Sequence, residues 1–588
     1  MARRKRRPVL TEGQRQARDE LRRIAGEYPE RIEIIDEPGL DKERILRIVI
    51  RLPTKDLDPV PSGLPLSTDH EDVTIWIPPG FPYRPPDAVV THSRFVSQPH
   101  VLQGHRLCVY LDPAREWHPA HGMLGFLTRL WDWLDDGAAG RFDAATALFH
   151  PVGGVLHRTP GTPTIVVRKP LQPNGKTFLR AALTARTPDR IDVIDWDTRR
   201  GATEVALVIV LHAPLSYGAG TTLPGMFRQI AATGHPRPDD IAAVLAQTAA
   251  RNPPGTPLYV ILAVPHVGGA SGHHLIAARL PPTFADLLRA VAARDGPLLQ
   301  INSSSIPADT PIEWCNVSDE RSDVNIRRDS SRPTSQFAGK VVEVWGCGGL
   351  GSWIAEFLAR AGTARLVLRD PGDVHGGLLV RQNYVENDIG RNKAQQLAER
   401  LRQISDDLVV ESSQGAAPSG LDGPLPGCDV IIDATVNTAV GVYLDLAARQ
   451  LAAARPLLAQ VATDLRTATL GLLTVSAPGL AAGPASIDEQ AGTVVLNDGH
   501  LERFHMFWQE PAIGDEIVPA RGCSVPTFHG SAADIAAVGA SLVSLLALHL
   551  NSGASGTHLV ALPHAPGDGP CHYFLPVADT GARAAARG

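Results

Sequence analysis

The sequence predicts a multi-domain α/β protein: an N-terminal α+β domain, a middle α/β region and a C-terminal doubly wound, Rossmann-like domain. Three observations carry this. The chain has 588 residues, several times the roughly 100–200 residues of one domain. From Val341 onward, strand, glycine-rich turn, helix and strand follow one another, the opening of a doubly wound sheet. Before residue 155, strand-like runs lie between two amphipathic helical stretches. Hydrophobic residues make up 44% and charged residues 20%, which excludes a disordered or collagen-like chain.

In the first region, residues 1–155, Arg15 to Tyr28 reads as the opening helix. Arg44 to Arg51 and Val73 to Ile77 read as strands, being rich in β-branched residues. The proline-dense stretch Pro78 to Pro86 dictates a turn, and Leu124 to Leu134 reads as a helix with one apolar face. The second region, 156–330, contains strand-like runs at Thr164–Arg168, Val205–Leu211 and Leu258–Val264 and a helix at Pro238–Arg251. It has no glycine-rich phosphate loop, and it reads as a linker or docking domain. His273-His274 reads as part of a surface loop rather than a metal site. The polar run Ser330 to Phe337 reads as a linker to the third region, 331–588.

Fifty-six Lys and Arg stand against 62 Asp and Glu, a net charge of −6, so net charge supplies no specific nucleic-acid affinity. The basic start, Met1 to Pro8, reads as a short solvated tail; contact with nucleic acid or a targeting receptor is its alternative. No apolar stretch follows it as in a secretory signal. No apolar run reaches the roughly 18–20 residues that span a bilayer, so no membrane is expected. Six cysteines without a CxxC pair imply a reduced, cytoplasmic protein whose thiols act singly.

Val341 to Trp345 runs into Gly346-Cys347-Gly348-Gly349-Leu350-Gly351-Ser352, and a helix from Trp353 to Ala361 follows. Glycines let backbone approach a phosphate, and the helix N-terminus offers free N–H groups. The next strand, Arg365–Arg369, ends in Asp370, nineteen residues past Gly351, the place for a carboxylate on ribose hydroxyls. So far a NAD(P)-dependent oxidoreductase fits as well as an ATP enzyme. Arg381-Gln382-Asn383-Tyr384 and Asp388-Ile389-Gly390-Arg391-Asn392-Lys393 favour ATP, because two cations converging on phosphates serve attack at the α-phosphate and not hydride transfer.

These motifs resemble the ThiF/MoeB/ubiquitin-activating adenylyltransferase family over roughly residues 325–550. The resemblance implies ATP and Mg²⁺ as cofactors. Gly346, Gly348, Gly349, Gly351, Asp370, Gln382 and the phosphate ligands Arg381 and Lys393 form the nucleotide site. It also implies a homodimer, with Arg327 or Arg328 reaching the partner's nucleotide. Cys428 to Thr435 resembles the strand that leads to the family's magnesium carboxylate, so Asp433 is the metal candidate and Asp373 the runner-up. Val436 departs from the family, which often has Asp after this Thr. The two CxxC pairs of the sulfur-carrier branch are missing, which argues against cofactor biosynthesis.

Cys523 lies between Arg521-Gly522 and a predicted helix, Ala532–Leu550; the cation and the nearby helix start favour a thiolate. The segment resembles the Gly-Cys-x-x-Pro-Thr of prokaryotic ubiquitin-activating-like enzymes, which implies a catalytic cysteine. The bland reading is a small structural hydrophobe. Cys571-His572 near His564 is too sparse for a metal site.

Phe81-Pro82-Tyr83-Arg84-Pro85-Pro86, Leu107-Cys108-Val109 and Trp117-His118-Pro119 resemble ubiquitin-conjugating enzymes over about residues 10–150. That implies Cys108 as the acyl carrier. His100 holds the position of the family's oxyanion-stabilising Asn, and an imidazole donates the same bond. Zinc is the rival reading of the stretch, through His100, His105, Cys108, His118 and His121.

Conjugating domain first and activating domain last resembles the fused enzymes of bacterial CBASS anti-phage operons. The resemblance implies activation of a protein C-terminus, the acyl donor being a cGAS-like nucleotidyltransferase. Thioester transfer from Cys523 to Cys108 and ligation to a target lysine would follow. Another bacterial ubiquitin-like modifier, a NAD(P)-dependent oxidoreductase and an inactive nucleotide-binding scaffold are the alternatives.

Overall fold

The computed structural model describes residues 9–95, 98–142, 152–196, 204–215, 218–266, 272–295, 301–321, 329–415, 425–509, 530–569 and 571–577. The chain forms two compact units, Met1–Ile326 and Arg327–Gly588.

The first unit opens with helix Glu12–Glu27. Thr11 starts it through a capping box: its hydroxyl accepts from the Gln14 amide at 3.2 Å, and the Gln14 side chain accepts from the Thr11 amide. Ala17, Leu21 and Ile24 share one buried face, spaced as a helix requires. Gln14 also donates to the Ile77 carbonyl at 3.0 Å, tying the helix to the sheet. That six-stranded antiparallel sheet runs, in spatial order, through Glu33–Leu40, Leu46–Pro53, His70–Ile77, Asp87–Val90, Arg106–Leu107 and Val101–Leu102. Leu46–Pro53 and His70–Ile77 alternate buried and half-buried residues, the period of a sheet with one core face. Helix Gly122–Ala138 closes the core with Phe126, Leu130 and Leu134. The indole of Trp117 donates to the Pro82 carbonyl at 2.7 Å, so the proline-dense turn and the Trp-His-Pro motif are one construction.

A second, eight-stranded sheet holds the middle region. Strands Glu204–Val210 and Leu258–Pro265 pair in parallel at its centre. Helices Leu223–Ala231, Pro238–Ala249 and Pro282–Asp295 belong to the same stretch, and residues of all three join the core on one sheet face. His273 and His274 are not in a loop: they open strand His273–Leu280, paired along its length with Leu258–Pro265. Their half-burial follows from that pairing.

The second unit is an eight-stranded sheet. Val409–Ser413, Arg365–Arg369, Val341–Trp345, Val430–Asp433 and Leu457–Thr463 are parallel neighbours; Leu470–Ser476, Gly556–Ala561 and His572–Pro576 extend it antiparallel. The chain leaves Val341–Trp345 toward one side and later returns on the other. The carboxyl ends of these strands therefore bound a topological switch point, where such sheets bind ligands. Two sequence expectations are corrected. Ser330–Phe337 is not merely a linker, since Phe337 is fully buried in the core of this unit. One helix, Ala532–His549, is long and apolar enough to cross a membrane by length and composition. Its Ile535, Val538, Leu542 and Leu546 are packed into that same core.

Candidate active sites

The turn after Val341–Trp345 is shaped by two glycines for packing and one for access. Gly346 has φ +88°, and a Cβ there would lie 2.8 Å from the Ala434 carbonyl group. A Cβ on Gly351 would lie 1.9 Å from the Gly346 oxygen. Gly348, in contrast, has nothing within 4 Å of its would-be Cβ among the described residues. Gly348 caps helix Gly349–Arg360, which begins four residues earlier than the sequence suggested, and this N-cap makes no side-chain cap hydrogen bond among the described residues. Free N–H groups and an open face are what an incoming phosphate requires.

Asp370 closes one side. It is buried, accepting at 2.7 Å from the Cys347 amide through one oxygen and at 2.7 Å from the Gly372 amide through the other. The carboxylate thus sets the turn's conformation, and each oxygen keeps a further lone pair. Asn392 donates to the Asp370 and Gly372 carbonyls at 3.0 and 3.1 Å and also caps helix Lys393–Leu401. A Cβ on Gly372 would lie 3.1 Å from Asp370 and 3.5 Å from the Lys393 ammonium, so that ammonium stands at the Asp370 end of the turn.

Arg381 and Gln382 are both buried. Desolvation pulls the Arg381 guanidinium below its ordinary pKa, an environment that favours an anionic partner. The Gln382 side-chain oxygen has no hydrogen-bond donor among the described residues. Sequence reasoning missed the residues that hold this segment in place. The Asn383 amide donates to the Ser352 hydroxyl at 3.1 Å, and the Tyr384 hydroxyl donates to the Cys347 carbonyl at 2.8 Å. Their signal was their position inside the Arg-Gln-Asn-Tyr run.

Asp433 ends strand Val430–Asp433 and is fully buried. One oxygen accepts from the Thr435 amide and hydroxyl at 2.9 and 2.6 Å; the other has no donor among the described residues. Burial raises its pKa. An orphaned carboxylate oxygen beside a phosphate turn fits Mg²⁺, which takes one or two carboxylates and completes its shell with phosphates and water. Asp373 is exposed. Val436 follows at φ +53° and is 77% exposed, a conformation unfavourable for a β-branched residue.

In the first unit, Cys108 follows strand Arg106–Leu107. Its amide donates to the His100 carbonyl at 2.8 Å and its thiol to the Tyr110 carbonyl at 3.4 Å. It lines a cavity of about 150 Å³ with Pro85, Pro86, Asp87, Arg106 and Tyr110. Burial pushes the thiol up to about 11, with Arg106 opposing. His100 has φ +61°, is buried, and packs its ring edge-on against Phe142 with centroids 5.1 Å apart. Its hydrogen bond to Cys108 therefore runs through its backbone. His118 and His121 do not support the zinc alternative. Each ring Nδ1 accepts from a backbone amide of one short turn, and no cluster of three or more His, Cys, Asp or Glu suited to a metal occurs among the described residues.

Cys523 and Arg521 lie outside the described residues, as do Arg327, Arg328 and the basic start. Cys347, although in the glycine turn, is fully buried with its pKa raised well above a normal thiol, which leaves it a packing residue.

Three family matches tile the chain: prokaryotic E2 family A at residues 31–158, the Cap2 central linker domain at 203–320 and the ThiF family at 335–559. The sulfur carrier protein ThiS adenylyltransferase of Escherichia coli K12 is 38% identical over 100 residues, 17% of this chain and 40% of that protein. The ATP-dependent ubiquitin transferase-like protein Cap2 of Enterobacter hormaechei is 33% identical over 141 residues, 24% of this chain and 23% of that protein. Each match spans less than half of the relative's length. Solved structures similar to parts of the chain include Escherichia coli MccB with ATP and PaaA. MccB is 13% identical with a TM-score of 0.29, over 42% of this chain and 66% of MccB. PaaA is 15% identical with a TM-score of 0.31, over 50% of this chain and 92% of PaaA. The three family matches, in this order, support a fused E2-like/ThiF enzyme with a Cap2-type central linker.

Proposed function

We propose that this protein uses ATP to activate the C-terminal carboxylate of a protein, carries the acyl group as a thioester and ligates it to an amine. The observation that supports it is the union in one chain of an open glycine turn flanked by Lys393, Arg381 and Asp433 with a cysteine in an E2-type cavity. The carboxylate attacks the α-phosphate of ATP, forming an acyl adenylate and releasing pyrophosphate. The free N–H groups of the helix start, with Lys393 and Arg381, stabilise charge that grows on the phosphates. Asp433 would hold Mg²⁺ through its unpartnered oxygen, and Mg²⁺ neutralises phosphate charge when bound. Cys523 displaces AMP, Cys108 takes the acyl group by thiol exchange, and a lysine amine receives it. Each thioester divides one hard amide synthesis into easier steps.

The Cap2-type linker and the Cap2 relative support a place in CBASS anti-phage defence; on this reading the acyl donor is a cGAS-like nucleotidyltransferase. The protein works as a cytoplasmic homodimer on this reading. The test is exchange of labelled pyrophosphate into ATP by the purified protein with a cGAS-like nucleotidyltransferase bearing its native C-terminus. Exchange that needs the intact donor C-terminus is expected. No exchange, with a nicotinamide absorbance change instead, would replace the reading with an oxidoreductase.

A further inference from the structure

The wall of the Cys108 cavity contains an acid that no motif singled out. Strand Asp87–Val90 runs antiparallel to Arg106–Leu107, with Ala88 opposite Leu107 and Val89 opposite Arg106. That register brings the start of the strand, Asp87, to the end of Arg106–Leu107 that Cys108 follows. Asp87 and Cys108 line the same cavity. Two other carboxylates of this domain are tied down: Asp41 accepts from two amides and Arg47, and Asp72 accepts twice from Arg51. Asp87 has no hydrogen-bond donor among the described residues; its charged neighbours are Arg106, 4.0 Å away, and Arg84.

We propose that Asp87 is the base that takes a proton from the amine attacking a thioester on Cys108. The proposal rests on the acyl-carrier reading of Cys108 above. A lysine side chain arrives as an ammonium, with an ordinary pKa near 10.4, and cannot attack until it loses a proton. The Asp87 carboxylate accepts that proton. The amine nitrogen then forms a bond to the thioester carbonyl carbon. Collapse of the tetrahedral adduct breaks the carbon–sulfur bond, and the electron pair leaves on sulfur. The adduct's second nitrogen proton passes to that sulfur, giving an amide and the Cys108 thiol, and Asp87 returns its proton to water. Two features of the cavity suit these transfers. Asp87 keeps half of its side chain open to an incoming amine, and partial desolvation raises its carboxyl pKa, which strengthens it as a base. Burial keeps the thiol near 11, so the departing sulfur is a ready proton acceptor. Arg84 and Arg106 hold Asp87 charged before the amine arrives.

In the test, Cys108 of the full-length protein is loaded by exchange with a fluorescein-Gly-Gly thioester of mercaptoethanesulfonate, which needs no activation step. Peptide mapping follows the Cys108 adduct. Its discharge by L-lysine and by hydroxylamine, an amine that is neutral at assay pH, is timed in wild type, Asp87→Asn and Asp87→Glu. Asp87→Asn is expected to slow discharge to lysine about 10- to 100-fold, with the deficit closing as pH rises toward about 9, while hydroxylamine discharge stays within about twofold. Asp87→Glu is expected to restore part of the lysine rate. Unchanged lysine discharge in Asp87→Asn, or equal losses with both amines, would overturn the assignment. Failure of wild-type Cys108 to take the acyl group would instead remove the acyl-carrier reading, and the proposal with it.

Discussion

On the proposed function, the glycine turn and the cysteine cavity solve opposite problems. The turn meets an anion that arrives fully charged, so its parts are fixed beforehand. Asp370 is locked by two amides, Tyr384 and Asn392 hold the flanking backbone, and Gly351 permits helix and strand to touch. The cavity meets charge that appears only during reaction. Its thiol rests protonated and its acid has no hydrogen-bond donor among the described residues. Preorganisation serves the first task and poised proton affinity the second.

The largest effect that would test this contrast separates two glycines of one motif. Gly351→Ala forces a Cβ to 1.9 Å from a backbone oxygen, and backbone cannot yield as a side chain does. Denaturant unfolding is expected to show a loss of about 3 kcal/mol or more, or no folded second unit. Gly348→Ala has open space and is expected to cost about 1 kcal/mol or less while weakening pyrophosphate exchange. Equal destabilisation by both would break the division into packing and access.

His100→Ala sharpens the cavity side. Loss of an oxyanion donor slows transfer by about 10²–10³ and leaves pyrophosphate exchange intact. Since the ring packs on Phe142, Phe142→Ala is the control. If it slows transfer equally, His100 acts by shaping the cavity and its backbone bond to Cys108, and the oxyanion role is lost.

Smaller still is a pH effect in the second unit. Burial lifts the Asp488 carboxyl to about 6, despite a bond from the Trp508 indole at 3.2 Å, and its other oxygen has no donor among the described residues. The folded state therefore holds the proton more tightly than the unfolded chain. This group's contribution is fully present below the ordinary carboxylate range, near 4, and is lost as pH rises from there through about 6, by at most about 3 kcal/mol. Urea unfolding across this window measures it, and Asp488→Asn is expected to flatten the slope.

Local patterns were legible in the sequence. The strand-turn-helix around Gly346–Gly351, the spacing to Asp370 and the proline-dense turn each depend on residues near in sequence, so periodicity and motif spacing expose them. What depended on pairing was not legible. Asp87 joins the Cys108 cavity through a strand pairing between segments about twenty residues apart. His273 and His274 look like loop because glycines precede them, yet the ladder with Leu258–Pro265 makes them strand. Phe337 ends a polar run but fills a core that other segments build. The orphaned oxygens of Gln382 and Asp433 are likewise products of tertiary burial.

The account's central claim is that activation and conjugation are consecutive steps on one chain. A non-reducing gel tests it most directly, with Mg-ATP and a cGAS-like nucleotidyltransferase of native C-terminus. Wild type, Cys523→Ala and Cys108→Ala are each run with and without thiol. The relay predicts thiol-sensitive adducts in wild type, an adduct confined to Cys523 in Cys108→Ala, and none at either site in Cys523→Ala. A Cys108 adduct that persists in Cys523→Ala, or no adduct in wild type with bound ATP and intact donor, would contradict it.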